Sequence, residues 1–153
     1  MARKAREPQE RVFAGSPTTD RDALHRALIH ATRADVTVGG YLVFAVDPAD
    51  DVLDDAAPKR VSVRRRGATT STTGPDDLVA LFRALRVGEI TDFLCLCTGD
   101  YVIEFYDGRN EVVEVVRVDL PSSIESRHWA GAAELAEPAR LAAWLVSHGF
   151  EPH

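Results

Sequence analysis

The stretch TDFLCLCTGDYVIEFYDGRNEVVEVVRVD, Thr91 to Asp119, carries the reading of the fold. Three β-type runs lie within it: DFLCLC, YVIEFY and EVVEVVRV. YVIEFY and EVVEVVRV are dense in β-branched or aromatic residues, and DFLCLC is apolar after its Asp. Gly99-Asp100 separates the first two runs and DGRN, Asp107 to Asn110, the second and third. Short Gly- and Asp-containing links between such runs are hairpin signals, so the stretch predicts an antiparallel meander. In an extended strand Cys95 and Cys97 point to one face with Phe93, while Leu94, Leu96 and Thr98 point to the other. Both faces are then apolar, as in a strand covered on each side, and the cysteines read as small core residues.

Working outward, Thr18 or Thr19 can cap a helix in TTDRDALHRALIHATRAD, whose Leu24, Ala27, Leu28 and Ala31 share a face. DVTVGGYLVFAV reads as a strand with a turn or bulge at Gly39-Gly40, and RVSVRRR as an edge strand. A second helix follows Pro75, with Asp76 and Asp77 in its first turn, a stripe of Leu78, Leu81, Phe82 and Leu85, and Gly88 at its exit. SIESRHWAG offers a short strand. A third helix follows Pro138, with Leu141, Trp144, Leu145 and His148 on one face and Gly149 beyond it. Strands joined by hairpins and flanked by helices make the fold class α+β. The expectation is one domain over 18–153, an antiparallel β-meander packed with about three α-helices. Residues 1–17 read as a flexible basic tail, 47–58 as an acidic loop and 67–74 as a Thr/Ser-rich linker.

A chain of 153 residues matches one domain and is long enough to build its own core. No apolar run approaches the ~20 residues of a membrane span. The basic N-terminus has no apolar segment behind it, so no secretory signal is expected. Two cysteines do not make a disulfide framework. A cytoplasmic protein is the expectation. The net charge of −6 is uneven: residues 1–74 sum to +2 and residues 75–153 to −8. An acidic C-terminal half argues against non-specific nucleic-acid binding, which needs clustered Lys and Arg. It leaves open a basic protein partner.

Catalytic signatures are missing from the sequence. There is no Gly-x-Ser-x-Gly elbow and no glycine-rich phosphate loop. DPADDVLDD lacks the spacing and closing Glu of a calcium loop. His25 and His30 are too far apart to stack as a metal pair on one helix face. Arg64 to Arg66 read as a solvated run that blunts an edge strand. No cofactor is called for. The first functional expectation is therefore a non-enzymatic interaction or regulatory protein, immunity- or adaptor-like. Its binding surface is an acidic sheet face of Asp100, Glu104, Glu111 and Glu114. The alternative is a small metal-binding or enzymatic domain centred on Cys95, Cys97, Asp100 and His128, with Cys95, Cys97 and His128 as metal ligands. A lone Cys-x-Cys pair supplies only half of a usual structural zinc site.

From FLCLCTGDYVIEFYDGRNEVVEVVRVD through SRHWAGAAELAEPARLAAWLVSHGF, about residues 90–150, the chain resembles a group of uncharacterised small bacterial α+β proteins. The shared pattern is Cys-x-Cys-x-Gly-Asp-x-x-Ile-Glu-x-Tyr, a further strand, a Trp-Gly-Ala-type segment and a Pro-capped Leu-Trp-Leu helix ending in Gly. The resemblance implies a shared fold and no known activity. Members of the group often carry a His-rich turn after the third strand; this chain has DLPSSIES there.

Overall fold

Runs rich in β-branched and aromatic residues mark the central strands of the computed structural model, which describes residues 9–13, 18–46, 59–64, 67–91, 93, 99–120, 122–129 and 131–150. In chain order these are β1 (Gln9–Phe13), α1 (Ala23–Ala27) running into a 3₁₀ turn (Leu28–His30), β2 (Arg33–Val38), β3 (Tyr41–Val46), β4 (Lys59–Arg64), β5 (Thr69–Thr72), α2 (Pro75–Ala84), β6 (Val87–Ile90), β7 (Tyr101–Tyr106), β8 (Val112–Asp119), β9 (Ser123–Glu125), β10 (Ala133–Leu135) and α3 (Pro138–Ser147). The main sheet has seven strands in the order β5-β2-β7-β8-β9-β10-β6, every described pairing antiparallel. A second sheet, β1-β4-β3, lies against β7 and β8. The fold is α+β, with three helices among the described residues and a β-meander at its centre.

The β7–β8 hairpin organises the rest. Its turn runs from Asp107 to Glu111: the Asp107 carboxylate accepts from the Arg109 and Glu111 amides at 2.8 and 3.0 Å. Asn110 takes the left-handed conformation (φ 63°) that Asn tolerates better than most residues. All six residues of β7 are buried, odd positions facing the helices and even ones the second sheet. On the helical side Tyr101, Ile103, Phe105, Val116, Val118 and Ile124 meet Leu24 and Leu28 of the first helical segment, Leu78 and Leu81 of α2, and Leu141 and Leu145 of α3. Across the sheet Val102 and Val115 meet Val63 of β4.

The two longer helices are clamped by polar contacts that their apolar stripes bring together. Trp144 Nε1 donates to the Asp77 carbonyl at 3.0 Å. The Trp144 indole stacks on the His148 ring at 3.8 Å between centroids, and His148 Nδ1 donates to the Trp144 carbonyl at 2.8 Å. Gly149, at φ 88°, closes α3 in the left-handed conformation expected of a residue just past a helix end.

Several elements differ from the sequence reading. Gln9–Phe13, expected inside a flexible tail, pairs with β4, which therefore lies between two strands and is not an edge. Thr69–Thr72, expected within a linker, forms the edge strand β5, because β-branched Thr favours extended backbone even without an apolar pattern. Gly39 and Gly40, at φ 70° and 96°, split what reads as one strand into β2 and β3 of different sheets. Gly88 lies inside β6, and α2 ends earlier, at Ala84. The expected 47–58 loop and the DFLCLC strand, apart from Phe93, lie outside the described residues.

Phe105 is fully buried and packs on Phe82 with ring centroids 5.9 Å apart, joining the central strand to α2. Phe105→Ala is expected to cost about 3–5 kcal/mol in urea unfolding. A loss below about 1 kcal/mol would mean that this ring is not part of a close-packed core.

Candidate functional site

Burial of β7 and β8 on both faces forces their charged residues into dry surroundings, where an unpaired charge is costly. On the face covered by the second sheet lie Arg33, Asp35 and Thr37 of β2, Glu104 and Tyr106 of β7, Arg117 and Asp119 of β8, and Glu125 of β9. Arg117 is 2% exposed. Its guanidinium donates to Glu125 at 2.6 Å and, through Nε and Nη2, to Asp119 at 3.2 and 3.1 Å. Gly99 makes room for it: a Cβ there would come within 2.4 Å of Arg117 Cγ. Farther along the face the Tyr106 hydroxyl donates to Glu104 at 3.0 Å. The Arg33 guanidinium lies over the Tyr106 ring, 4.0 Å from its centroid, and pairs with Asp35 at 3.2 Å.

A second ionic cluster lies on the helical side. Glu114 is opposite Phe105 in the register and is completely buried. One carboxylate oxygen takes a hydrogen bond from His128 Nε2 at 2.6 Å and from Arg127 Nε at 3.3 Å; the other takes the Val115 amide at 3.0 Å. The neighbouring Trp129 indole donates to the Asp20 carbonyl at 2.9 Å, and the His128 carbonyl accepts from the Thr18 amide at 2.8 Å. The cluster thereby anchors the segment leading into α1. A carboxylate holding one imidazole nitrogen fixes the ring as in a general-base pair, but its immediate partners here are structural groups.

The residues singled out from the sequence are therefore scattered. Glu104 and Glu114 are both buried and point to opposite faces of the sheet, while Asp100 and Glu111 are exposed at opposite ends of the β7–β8 hairpin. These four do not form the shared acidic surface expected of them. The register explains it: a bulge between Phe105 and Tyr106, opposite Val113, sets Glu114 on the helical side while strict alternation leaves Glu104 on the other. Asp100 accepts from the Leu120 amide at 2.7 Å, just past the end of β8. His128 is tied to Glu114, near the start of β8, so the two attachment points are about 20 Å apart at ~3.3 Å per residue. Asp100 and His128 thus do not converge on one site. Cys95 and Cys97 lie outside the described residues. Among the described residues no group of three or more His, Cys, Asp or Glu side chains is placed to hold a metal ion.

One cleft was missed by sequence reasoning. It has a volume of about 660 Å³ and is lined by Asp22 and His25 at the start of α1, Arg83 and Arg86 at the end of α2, and Glu137 and Arg140 at the start of α3. His25 Nε2 donates to the Phe82 carbonyl at 2.6 Å, which fixes the ring against α2. Arg140 pairs with Glu137 at 3.3 Å, both half exposed. Among the described residues Arg83 and Arg86 have no side-chain partner. No local sequence signal joins even Arg83 and Arg86, since Arg86 lies past the end of α2. Nothing local ties them to Arg140 or His25.

Two measurements test the buried ionic groups. Glu114→Ala removes the acceptor of His128 Nε2 and one acceptor of Arg127 and is expected to cost about 3–5 kcal/mol; a cost near zero would mean that water reaches the cluster. Burial pushes the Asp119 carboxyl above the ordinary aspartate range; Arg117 pulls it down by charge and hydrogen bond, and Asp100 adds a small upward push. A group whose folded pKa is raised stabilises fully below its unfolded value and loses that contribution as pH rises through the folded one. The stability of Asp119→Asn relative to the unsubstituted protein should therefore improve as pH rises from below about 3.9 to neutrality. A difference that is flat with pH, or runs the other way, contradicts the burial.

Compared with known proteins, the chain matches no family model, no curated protein and no solved structure.

Proposed function

We propose that this chain is a non-enzymatic interaction protein, immunity- or adaptor-like in its action, that engages a protein partner on its helical side. The observation that carries this reading is the contrast between its buried and its exposed charges. Glu104, Glu114, Arg117 and Glu125 are buried and bonded to neighbours within the fold. Arg83 and Arg86 line an open cleft and have no side-chain partner among the described residues. Charged groups that stabilise the fold are thus separated from charged groups left facing solvent, where arginine is enriched in protein interfaces.

Exposed apolar side chains occur on the same elements. Ile29, 74% exposed, lies in the 3₁₀ turn that follows α1, and Val79, 46% exposed, lies one turn before Arg83 on α2. Apolar side chains beside unpaired arginines fit a surface that becomes buried in a complex. The partner face moves accordingly, from the meander to the ends of the three helices, and its charge becomes positive.

The test is capture by the 153-residue chain from its native cells, followed by titration of the purified partner. A single partner should bind in fixed stoichiometry, and Arg83→Glu/Arg86→Glu should weaken it about tenfold or more, corresponding to ~1.4 kcal/mol. A partner that binds the double variant equally well, or the absence of any stoichiometric partner, would defeat the proposal.

A further inference from the structure

We infer that the cleft between the three helices seats an acidic peptide segment, its carboxylates held by Arg83, Arg86 and Arg140; this rests on the reading of the helical side as a protein-binding surface. The chain as a whole carries a net charge of −6, so three arginines around one cleft are a local reversal of its field. Helix electrostatics accounts for only part of them. Arg83, in the last turn of α2, is favoured there by the helix dipole. Arg86 lies beyond the helix. Arg140 lies in the first turn of α3, the end where the dipole disfavours a cation. Glu137 offsets that position through a half-exposed pair, the weak kind of ion pair. An anion bound in the cleft would meet three guanidinium groups and the N-terminal end of a helix together.

The same geometry favours carboxylates spaced along a peptide over a compact phosphate. Asp22 and Glu137 share the lining with the arginines, and their charges would oppose a dense multivalent anion. An extended peptide places alternate side chains about 6.6 Å apart, so its carboxylates can reach separate arginines while avoiding the two acidic groups. His25 adds a backbone contact. Its Nε2–H is committed to the Phe82 carbonyl, and its Nδ1, without a partner among the described residues, is an acceptor suited to a peptide N–H.

The experiment is an NMR titration of the ¹⁵N-labelled full chain with hexaglutamate, with hexalysine and inorganic phosphate as parallel probes. Hexaglutamate should shift amides of residues 22–28, 83–88, 137 and 139–141 despite the repulsive net charge. Arg83→Gln/Arg86→Gln and the double Glu variant should each raise the apparent Kd by about tenfold, and salt should weaken binding. Both substituted side chains are exposed, and a melting curve identifies any variant that fails to fold; the Gln pair then carries the test. The inference is overturned by hexaglutamate shifts that avoid the cleft, by unchanged binding to the folded variants, or by arginine-dependent binding of phosphate without hexaglutamate. A captured protein partner whose affinity depends on Arg83 and Arg86 while hexaglutamate leaves the cleft unshifted would reject the acidic segment and leave the protein-binding reading standing.

Discussion

Arg117 sits inside the protein at 2% exposure, and much of the sheet is arranged to make that possible. A guanidinium cannot lose its proton to escape a dry interior, so it must be paired where it lies. Glu125 and Asp119 supply the pairing from the adjacent strand and from its own strand. That requirement fixes the register of β9 on β8, since Glu125 must stand opposite Arg117. It also requires glycine at position 99, where any side chain would collide with the Arg117 stem. A buried charge network of this kind is weak evidence for net stability, because desolvation offsets much of its attraction. Its effect here is to penalise a slip of β9 along β8, which would move Glu125 away from Arg117.

Glu114 imposes the same constraint on the opposite face. Completely buried, it draws His128 and Arg127 inward and so brings the segment before β10 against the lead-in to α1. The two networks explain why the polar residues of the meander resemble a site in the sequence. Carboxylates, an arginine and a histidine set among Val, Ile and Phe are what a catalytic centre looks like in one dimension. In three dimensions they bind one another. Among the described residues Arg83 and Arg86, at the cleft by the helix ends, have no side-chain partner and take no part in either network.

Much of the architecture was legible because it depends on local signals. Pro75 and Pro138 mark the starts of α2 and α3, the Leu stripes mark their buried faces, and DGRN marks the β7–β8 turn. Strands β6 and β10 were not legible: each is only a few residues long, and each is specified by pairing with a strand remote in sequence. Thr69–Thr72 was read as a linker because its side chains lack any apolar alternation, and it becomes a strand only through the ladder to β2. Gln9–Phe13 likewise depends on β4.

By itself, then, the sequence determined the fold class, the starts of the two longer helices, the central hairpin and the residue types available for chemistry, since each follows from periodicity, propensity and turn composition within a short window. The first helix, read as capped by Thr18 or Thr19, starts later, at Ala23, because Thr18 and Asp20 accept from the Asp20 and Asp22 amides in the turns before it. Tertiary structure alone decided which of those residues are spent inside. A single bulge at the β7–β8 pairing sends Glu114 to the helical face and leaves Glu104 on the other, a difference that no one-dimensional pattern encodes. It also decided that Arg83, Arg86 and Arg140 meet, because their proximity comes from the packing of α2 against α3, and that packing is set by the apolar faces of both helices.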